Sequence, residues 1–372
     1  MAETIDGDCT SAAVILSRST QHAANAAGAM AAAEIRSAPT RSLRRRDGLI
    51  QFARDETSQN GEDGVIAAIF ACLDKRQRPK TRWCVDVGAW DGVHLSNTHT
   101  LLTAGGWRGA LLEADAERCA KLRALHAPLG NVAIEAFVSC VDASRSVESL
   151  LRKHAKSVPL GVDLVSVDVD GCDFWIFKDL LESGYGSRVY VVEFNPTMPH
   201  DVVYIQPRAD AAREGSSLAA LVELAKKHGY HLAETTLFNA FFVDGPARGA
   251  LVADGLLRPD DDIDSLHEVT MGTALYQLYD GALKLHGCKK FLWHRRPIDE
   301  ARLQQIEGRD FPFKPNGDKA KKPAKKRHKS KVTAKAAKGG RAKAAPREPA
   351  LVAAAAALGL AAALLVARAR RA

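Results

Sequence analysis

Between residues 82 and 194, short apolar runs alternate with amphipathic stretches. The runs are "RWCVDV" (82–87), "GALLEA" (109–114), "VAIEAFVS" (132–139), "DLVSVDV" (163–169) and "RVYVVEF" (188–194). They are β-branched and apolar on both faces, as strands buried on both sides of a parallel sheet must be. Segments 116–125, 147–155 and 174–182 lie between them and carry helical periodicity. The alternation predicts an α/β protein with a doubly wound, mostly parallel sheet.

The pattern then changes. "SSLAALVELAKKHGY" (216–230) places Leu218, Leu221, Val222, Leu224 and Ala225 on one helical stripe, with serines to cap its start and Gly229 to close it. "HLAETTLFNAFFVDG" (231–245) reads as two strands joined by a very short turn near Phe238 and Asn239. The sheet is therefore expected to end in an antiparallel hairpin.

Composition fits a folded body with distinct ends. The chain has 372 residues, 46% of them hydrophobic, enough for a sizeable core. Its net charge of +8 is unevenly spread: from Lys319 onward there are sixteen Lys/Arg and one acid, a surplus of +15 that leaves −7 on everything before it. The body is acidic and only the tail is basic. The seven cysteines are scattered singly with no CxxC pair, which reads as buried reduced thiols and not as a disulfide framework or zinc site.

These shifts divide the chain into four parts. Residues 1–46, rich in Ala, Ser, Thr and Arg, form a disordered or targeting segment; Glu3, Asp6 and Asp8 sit where transit peptides avoid acids. Residues 47–315 form the folded domain. Residues 316–349 are a Lys/Ala/Pro/Gly linker without the apolar bulk to fold. Residues 350–367, "ALVAAAAALGLAAALLVA", are eighteen uncharged residues. As a helix they would reach about 27 Å against a hydrocarbon core of roughly 30 Å. Their five Leu and two Val contribute about −2 to −4 kcal/mol to insertion. A C-terminal tail anchor, with the body on the cytosolic side of an unassigned membrane, is the expectation; the alternative is a soluble helix on a tail that binds phosphates nonspecifically.

The candidate chemistry lies at the strand ends. "VDVGAWDG" (85–92) ends a strand on Asp86 and turns through Gly88 and Gly92, where backbone without Cβ can approach a ligand closely, into a helix expected to start near the capping residue Ser96. It lacks the first glycine of a dinucleotide fingerprint. The next strand ends on Glu113, 27 positions later, where a carboxylate can hold both hydroxyls of a ribose. Two acids on adjacent strands suit an adenosine ligand without a pyrophosphate.

The set "SQNGEDG" (58–64), "VDVGAWDG" (85–92), "LLEAD" (111–115), "DLVSVDVDG" (163–171) and "VVEFNPT" (191–197) resembles the FkbM-type S-adenosylmethionine-dependent methyltransferases, over roughly residues 50 to 245. The closing hairpin is similar to that of class I methyltransferases. "LYQLYDGALKLHGCKKFLWH" (275–294) resembles an extension of a branch of the group. The resemblance implies that Asp86, Gly88, Ala89 and Gly92 line the methionine side of the cofactor. Glu113 would hold its ribose and Asp142 would sit by the adenine. Asp168, Asp170 and Gly171 would face the transferred methyl group, and Gln59, Asp63 and Asn195 would belong to a substrate-facing or lid region. The family usually carries D-x-E-G where this chain has Asp168-Val169-Asp170-Gly171, which bears on the acceptor and not on the cofactor.

Methyl transfer from a sulfonium needs a placed nucleophile and, for a hydroxyl, a base. Candidate bases are Asp168, Asp170, His94 and His200; His94 also suits a surface or capping position. Asp168, Asp170, Glu193 and Asn195 are hard oxygen donors able to hold a divalent metal, but strand-end acids also orient a cofactor amine, and no metal is assigned. "NPT" at Asn195 follows the fifth strand, unlike the Asn-Pro-Pro loop of nucleic-acid amino-methyltransferases. "PDDDID" (259–264) lacks the Gly and closing Glu of a calcium loop, and "TAGGWRGA" (103–110) lacks the Lys-Ser/Thr of a P-loop. Region 275–294 either covers the site, through Trp293 and His294, or packs on the sheet edge.

The expected function is O-methylation of a small molecule, sugar or lipid at a membrane, with no specific nucleic-acid partner. The alternative is a catalytically inactive membrane or trafficking adaptor on the same fold. Because the basic charge is confined to the tail, deletion of residues 316–372 is expected to abolish binding to duplex DNA and to anionic vesicles at physiological salt. Retention on DNA by the truncated chain, measured by fluorescence anisotropy, would contradict that division of charge.

Overall fold

The structure, a computed structural model, describes residues 44–305 except 77–80, 155, 160, 269–271 and 280, together with two paired dipeptide strands, Ile15–Leu16 and Glu34–Ile35. Most of segment 1–46, the basic linker 316–349, the candidate anchor 350–367 and Cys9 lie outside the described residues.

Seven strands form the central sheet: β1 (Trp83–Val87), β2 (Arg108–Glu113), β3 (Val132–Glu135), β4 (Val162–Val167), β5 (Ser187–Glu193), β6 (Tyr230–Thr235) and β7 (Asn239–Asp244). Their spatial order is β3-β2-β1-β4-β5-β7-β6. The first five run parallel to one another, and β7 runs antiparallel to both β5 and β6. This is the expected doubly wound, mostly parallel sheet with a closing hairpin.

The helices are α1 (Glu62–Arg76), α2 (His99–Thr103), α3 (Ala116–His126), α4 (Val147–Lys153), α5 (Asp173–Glu182), α6 (Leu218–Lys227), α7 (Gly245–Ala253) and α8 (Ile263–Leu266). Several begin on the cap their sequence offers. Asp115 caps α3 through Arg118 N, Ser146 caps α4 through Ser149 N, and Ser217 caps α6 through Ala220 N. At the opposite end of the sheet, buried Asp163 accepts from Thr81 N and Arg82 N at 2.7 Å each, which fixes the entry to β1.

Three elements differ from expectation. β3 stops at Glu135, short of residue 139, because it is an edge strand whose single partner β2 ends at Glu113; Ala136 N still reaches Glu113 O, and nothing pairs beyond it. The helix expected from Ser96 starts at His99, with Ser96 Oγ still accepting from His99 N at 3.1 Å. Region 275–294 does not join the main sheet. Its strands β8 (Thr273–Gln277) and β9 (Leu283–Gly287) pair only with each other, anchored by Thr273 N to Thr197 O.

The core is continuous through both faces of the sheet. Phe177 of α5 is fully buried, its ring 5.3 Å from Phe242 and 5.1 Å from Tyr190. It joins a helix to β5 and β7, so Phe177→Ala is expected to lower unfolding free energy by about 3–5 kcal/mol in urea titration. A cost below about 1 kcal/mol would mean the site collapses around the lost ring.

Candidate functional site

The strand order reverses between β1 and β4, since the chain moves outward through β2 and β3 and then returns to the other side of β1. Ligands bind doubly wound sheets at such a switch point, beyond the carboxyl ends of the strands. Most of the candidate residues end up here.

On the β1–β2 side, Gly88 has φ +90° and a Cβ there would meet Asp168 O at 1.8 Å, so no other residue can occupy the turn without displacing β4. Gly88 N and Ala89 N both donate to Leu112 O at 3.0 Å, holding the turn against β2. Gly92, φ +81°, packs on His126 and Leu122. Its carbonyl accepts from His99 Nδ1 or His126 Nε2, at 2.7 and 3.1 Å. Neither histidine was expected in this role, because both lie in helices that the sequence pattern marks only as packing.

Glu113 is buried at the end of β2, with Trp90 N donating to Oε2 at 3.0 Å and Asp115 N to Oε1 at 2.8 Å. Each oxygen keeps a lone pair for a ligand hydroxyl. Trp90 itself sits in the left-handed region with the Arg118 guanidinium 3.2 Å above its ring. Asp86 is buried and accepts from Thr98 Oγ1 at 2.7 Å. Burial raises its pKa to about 6 against the opposing hydroxyl bonds, and the nearby Glu113 charge adds to the rise.

On the β4–β5 side, carboxyl oxygens of Asp168, Asp170 and Glu193 lie within 4.8 Å of one another. Burial, then the charges of Asp173, Asp170 and Asp86, push Asp168 up to about 8. Burial and the Asp168 charge push Glu193 well above the usual carboxylate range, and a hydrogen bond joins the two side chains. The bond favours the ionised form of Asp168 and the protonated form of Glu193. The two carboxyls titrate as a coupled pair, of which Glu193 is the later to ionise. Asp173 folds the loop between them: its two oxygens accept from Val169 N and Gly171 N at 2.9 Å, and burial leaves its pKa raised to about 6. Asp170 is exposed at φ +56°.

Beside these acids is a cavity of about 200 Å³ lined by Asp170, Asp173, Glu193, Asn195, Arg213 and Trp293, among others. Trp293 thus covers this side of the site, the first of the two roles open to region 275–294. Asp173 and Arg213 carry no motif and were not expected. Asn195 lines the cavity, but its amide is engaged, donating to Glu214 O at 2.9 Å and accepting from Thr197 Oγ1 at 2.7 Å.

The remaining candidates are placed elsewhere. His94 is exposed, its backbone N–H bonded to Asp91 and its ring 5.6 Å from that of Trp90. His200 contacts Asp264 at 2.6 Å and lies 6.2 Å from the His267 ring. Asp142 lies seven residues past the end of β3 and caps a 3₁₀ turn, bonded to Ser144 and to Arg145 Nε; those bonds, Ser144 first, lower its pKa. Asp63 is buried with Oδ2 accepting from the backbone of Glu56, Thr57 and Ser58 at 2.7–2.9 Å. Burial works to raise its pKa, but those bonds prevail and leave it lowered. Gln59 N donates to Glu62 Oε2 at 3.1 Å. Carboxylates organise the "SQNGEDG" loop, and Thr57 Oγ1, just before it, donates to Ser96 O at 3.1 Å, just past the glycine turn.

No protein-family model matches the chain, and no curated protein is similar to it in sequence. Solved structures similar to it include mitomycin 7-O-methyltransferase MmcR, at 13% identity and TM-score 0.28, covering 49% of this chain and 55% of that one. Magnesium protoporphyrin IX methyltransferase from Synechocystis PCC 6803 with bound SAH is 12% identical with TM-score 0.30, over 50% of this chain and 83% of that one. CalO1, a methyltransferase in calicheamicin biosynthesis, is 20% identical with TM-score 0.27, over 50% and 56%. The chain thus spans little more than half of MmcR and CalO1. Values this low carry no argument about chemistry, and the fold rests on the strand order itself.

The acid pair has a consequence for stability. Asp168 has a folded pKa of about 8 against an ordinary 3.8, so its contribution is fully present below about pH 4 and is lost as pH rises through about 8. Asp168→Asn, which cannot ionise, is expected to raise unfolding free energy at about pH 8.5 by about 1–2 kcal/mol and to leave it nearly unchanged near pH 4. Parallel pH profiles for the variant and wild type in urea titration would refute the raised pKa of Asp168.

Proposed function

We propose that the chain is an S-adenosylmethionine-dependent methyltransferase of FkbM type that methylates an oxygen of a small molecule, sugar or lipid. The observation that carries this reading is Glu113, buried at the switch point with both oxygens oriented by backbone N–H groups and opposite a glycine turn no side chain could fill. A carboxylate so held accepts from vicinal hydroxyls without first being reorganised. The residues present fit a nucleoside with a cationic tail: Gly88 and Ala89 give close backbone approach, and Asp86 offers partial negative charge. When bound, the cofactor supplies a methyl group on a sulfonium.

The chain's own residues do the rest. Asp168 is the base best placed for an acceptor hydroxyl, because its carboxylate lies beside Asp170 and Glu193 of the cavity and burial among like charges raises its affinity for a proton. Asp170 and Asn195 flank the acceptor cavity, which Trp293 closes on one side. Asp142 would reach the adenine only by giving up its bonds to Ser144 and Arg145. His94 and His200 have no part in this reading. The acids could also hold a divalent cation, a reading that Asn195 does not reinforce because its amide is already engaged.

Tethering by residues 350–367, with the domain on the cytosolic side, completes the proposal. Among the described residues no helix is long and apolar enough to cross a membrane. Loss of membrane pelleting in the chain truncated at residue 316 tests it.

Calorimetric titration of the full chain with S-adenosylhomocysteine is expected to give micromolar binding, weakened about tenfold or more in Glu113→Ala. A well-folded wild type that binds neither this ligand nor S-adenosylmethionine would reject the enzyme and favour an adaptor on the same fold.

A further inference from the structure

Two thiols that the proposed chemistry does not use lie at the rim of the site. Cys140 and Cys172 are both buried, and their sulfurs are 2.7 Å apart. Sulfurs in contact on two different loops can be joined with little backbone movement. Neither residue stands alone in a packed interior. Cys172 is the N-cap of α5 and directly follows Asp170 and Gly171, while Cys140 lies in the β3–α4 loop two residues before Asp142.

We infer that Cys140 and Cys172 form a reversible disulfide that pins the Asp168–Gly171 loop to the β3–α4 loop and so controls opening of the cleft. The pairing departs from the reading of every cysteine as a permanently reduced thiol. The thiols could instead hold a thiophilic metal with Asp210, whose carboxylate is near both. That carboxylate is already engaged: it accepts from Ser139 Oγ at 2.7 Å and from Cys140 N at 2.9 Å, and Arg145 lies 3.8 Å away. Two thiols already in contact also lack the wider separation that a metal between them requires.

The surroundings hold the two loops in register for closure. Arg208 donates Nε to Cys140 O and pairs with Asp179 of α5 at 2.7 Å, bracing the loop against the helix that Cys172 caps. Cys172 is the better nucleophile of the two. Burial raises both thiols, but the Cys140 S–H bond stabilises the Cys172 thiolate while raising Cys140, and the start of α5 favours negative charge there.

With hydrogen peroxide as oxidant, the Cys172 thiolate attacks one oxygen. The O–O bond breaks, hydroxide leaves and is protonated to water, and a sulfenic acid forms. Cys140 sulfur then attacks the Cys172 sulfur, the S–O bond breaks, and the second water leaves with the thiol proton. Peroxide is reduced to two waters and the two thiols are oxidised to one disulfide. A dithiol reductant reverses the step by exchange.

The disulfide is independent of the proposed function, but its control of the cleft rests on that reading. The full chain, treated with peroxide and then denatured, is expected to show five titratable thiols in place of the seven in the sequence. A non-reducing peptide map should join Cys140 to Cys172, and dithiothreitol should restore the count. Cys140→Ser and Cys172→Ser should each keep all six of their thiols. Oxidation should change the affinity for S-adenosylhomocysteine by about fivefold or more in wild type and not in Cys140→Ser. Seven thiols remaining, a different linked pair, or stoichiometric zinc retained by the pair would overturn the disulfide. A formed disulfide with unmoved affinity would overturn control of the cleft. Failure to bind in either redox state would instead reject the methyltransferase reading, leaving the thiol count to decide the disulfide by itself.

Discussion

Like charges gathered at one end of the sheet are the constraint on which this site depends. Asp86, Asp168, Asp173 and Glu193 converge where β1, β4 and β5 end, and four ionised carboxylates could not remain there together. The structure relieves the repulsion in two ways. Burial and like charges hold the Glu193 proton to well above the usual carboxylate range, and Asp173 directs its charge at the backbone N–H groups of Val169 and Gly171. The turn those bonds create forces Asp170 into the left-handed region and out to solvent.

The two halves of the cleft solve different problems. Beside β2, Glu113 is held by fixed backbone dipoles, so its orientation does not depend on any other titratable group. Beside β4 and β5, the orientation of each acid depends on the protonation of the next. A rigid half suits a ligand that is always the same, and a titratable half suits chemistry that moves a proton.

The sheet was legible because buried parallel strands must be apolar on both faces, and five runs of that kind stand out between residues 82 and 194. The hairpin was legible from one short turn between two β-rich segments. Asp86, Gly88, Glu113, Asp168 and Asp170 could be read as candidates because strand ends are predictable positions. What local pattern cannot supply is the partner of each side chain. The role of His126 comes from a carbonyl 34 residues away, and the carboxylate of Asp142, in a loop past an edge strand, turned to its neighbours Ser144 and Arg145. The contact of Cys140 with Cys172, 32 residues on, was hidden for the same reason: spacing along the chain says nothing about two loops that meet above a sheet.

Glu62, fully buried at the start of α1, accepts from Thr236 Oγ1 at 2.6 Å and from Asn239 Nδ2 at 3.2 Å in the closing hairpin. A contact across 177 residues joins the beginning of the domain to its last strands. During synthesis the first helix and the glycine turn leave the ribosome long before the hairpin that satisfies this carboxylate. β5 likewise waits, an open edge until β7 arrives. Such non-local closure slows assembly, and until residue 244 or so has emerged the nascent chain presents an unpaired apolar strand edge.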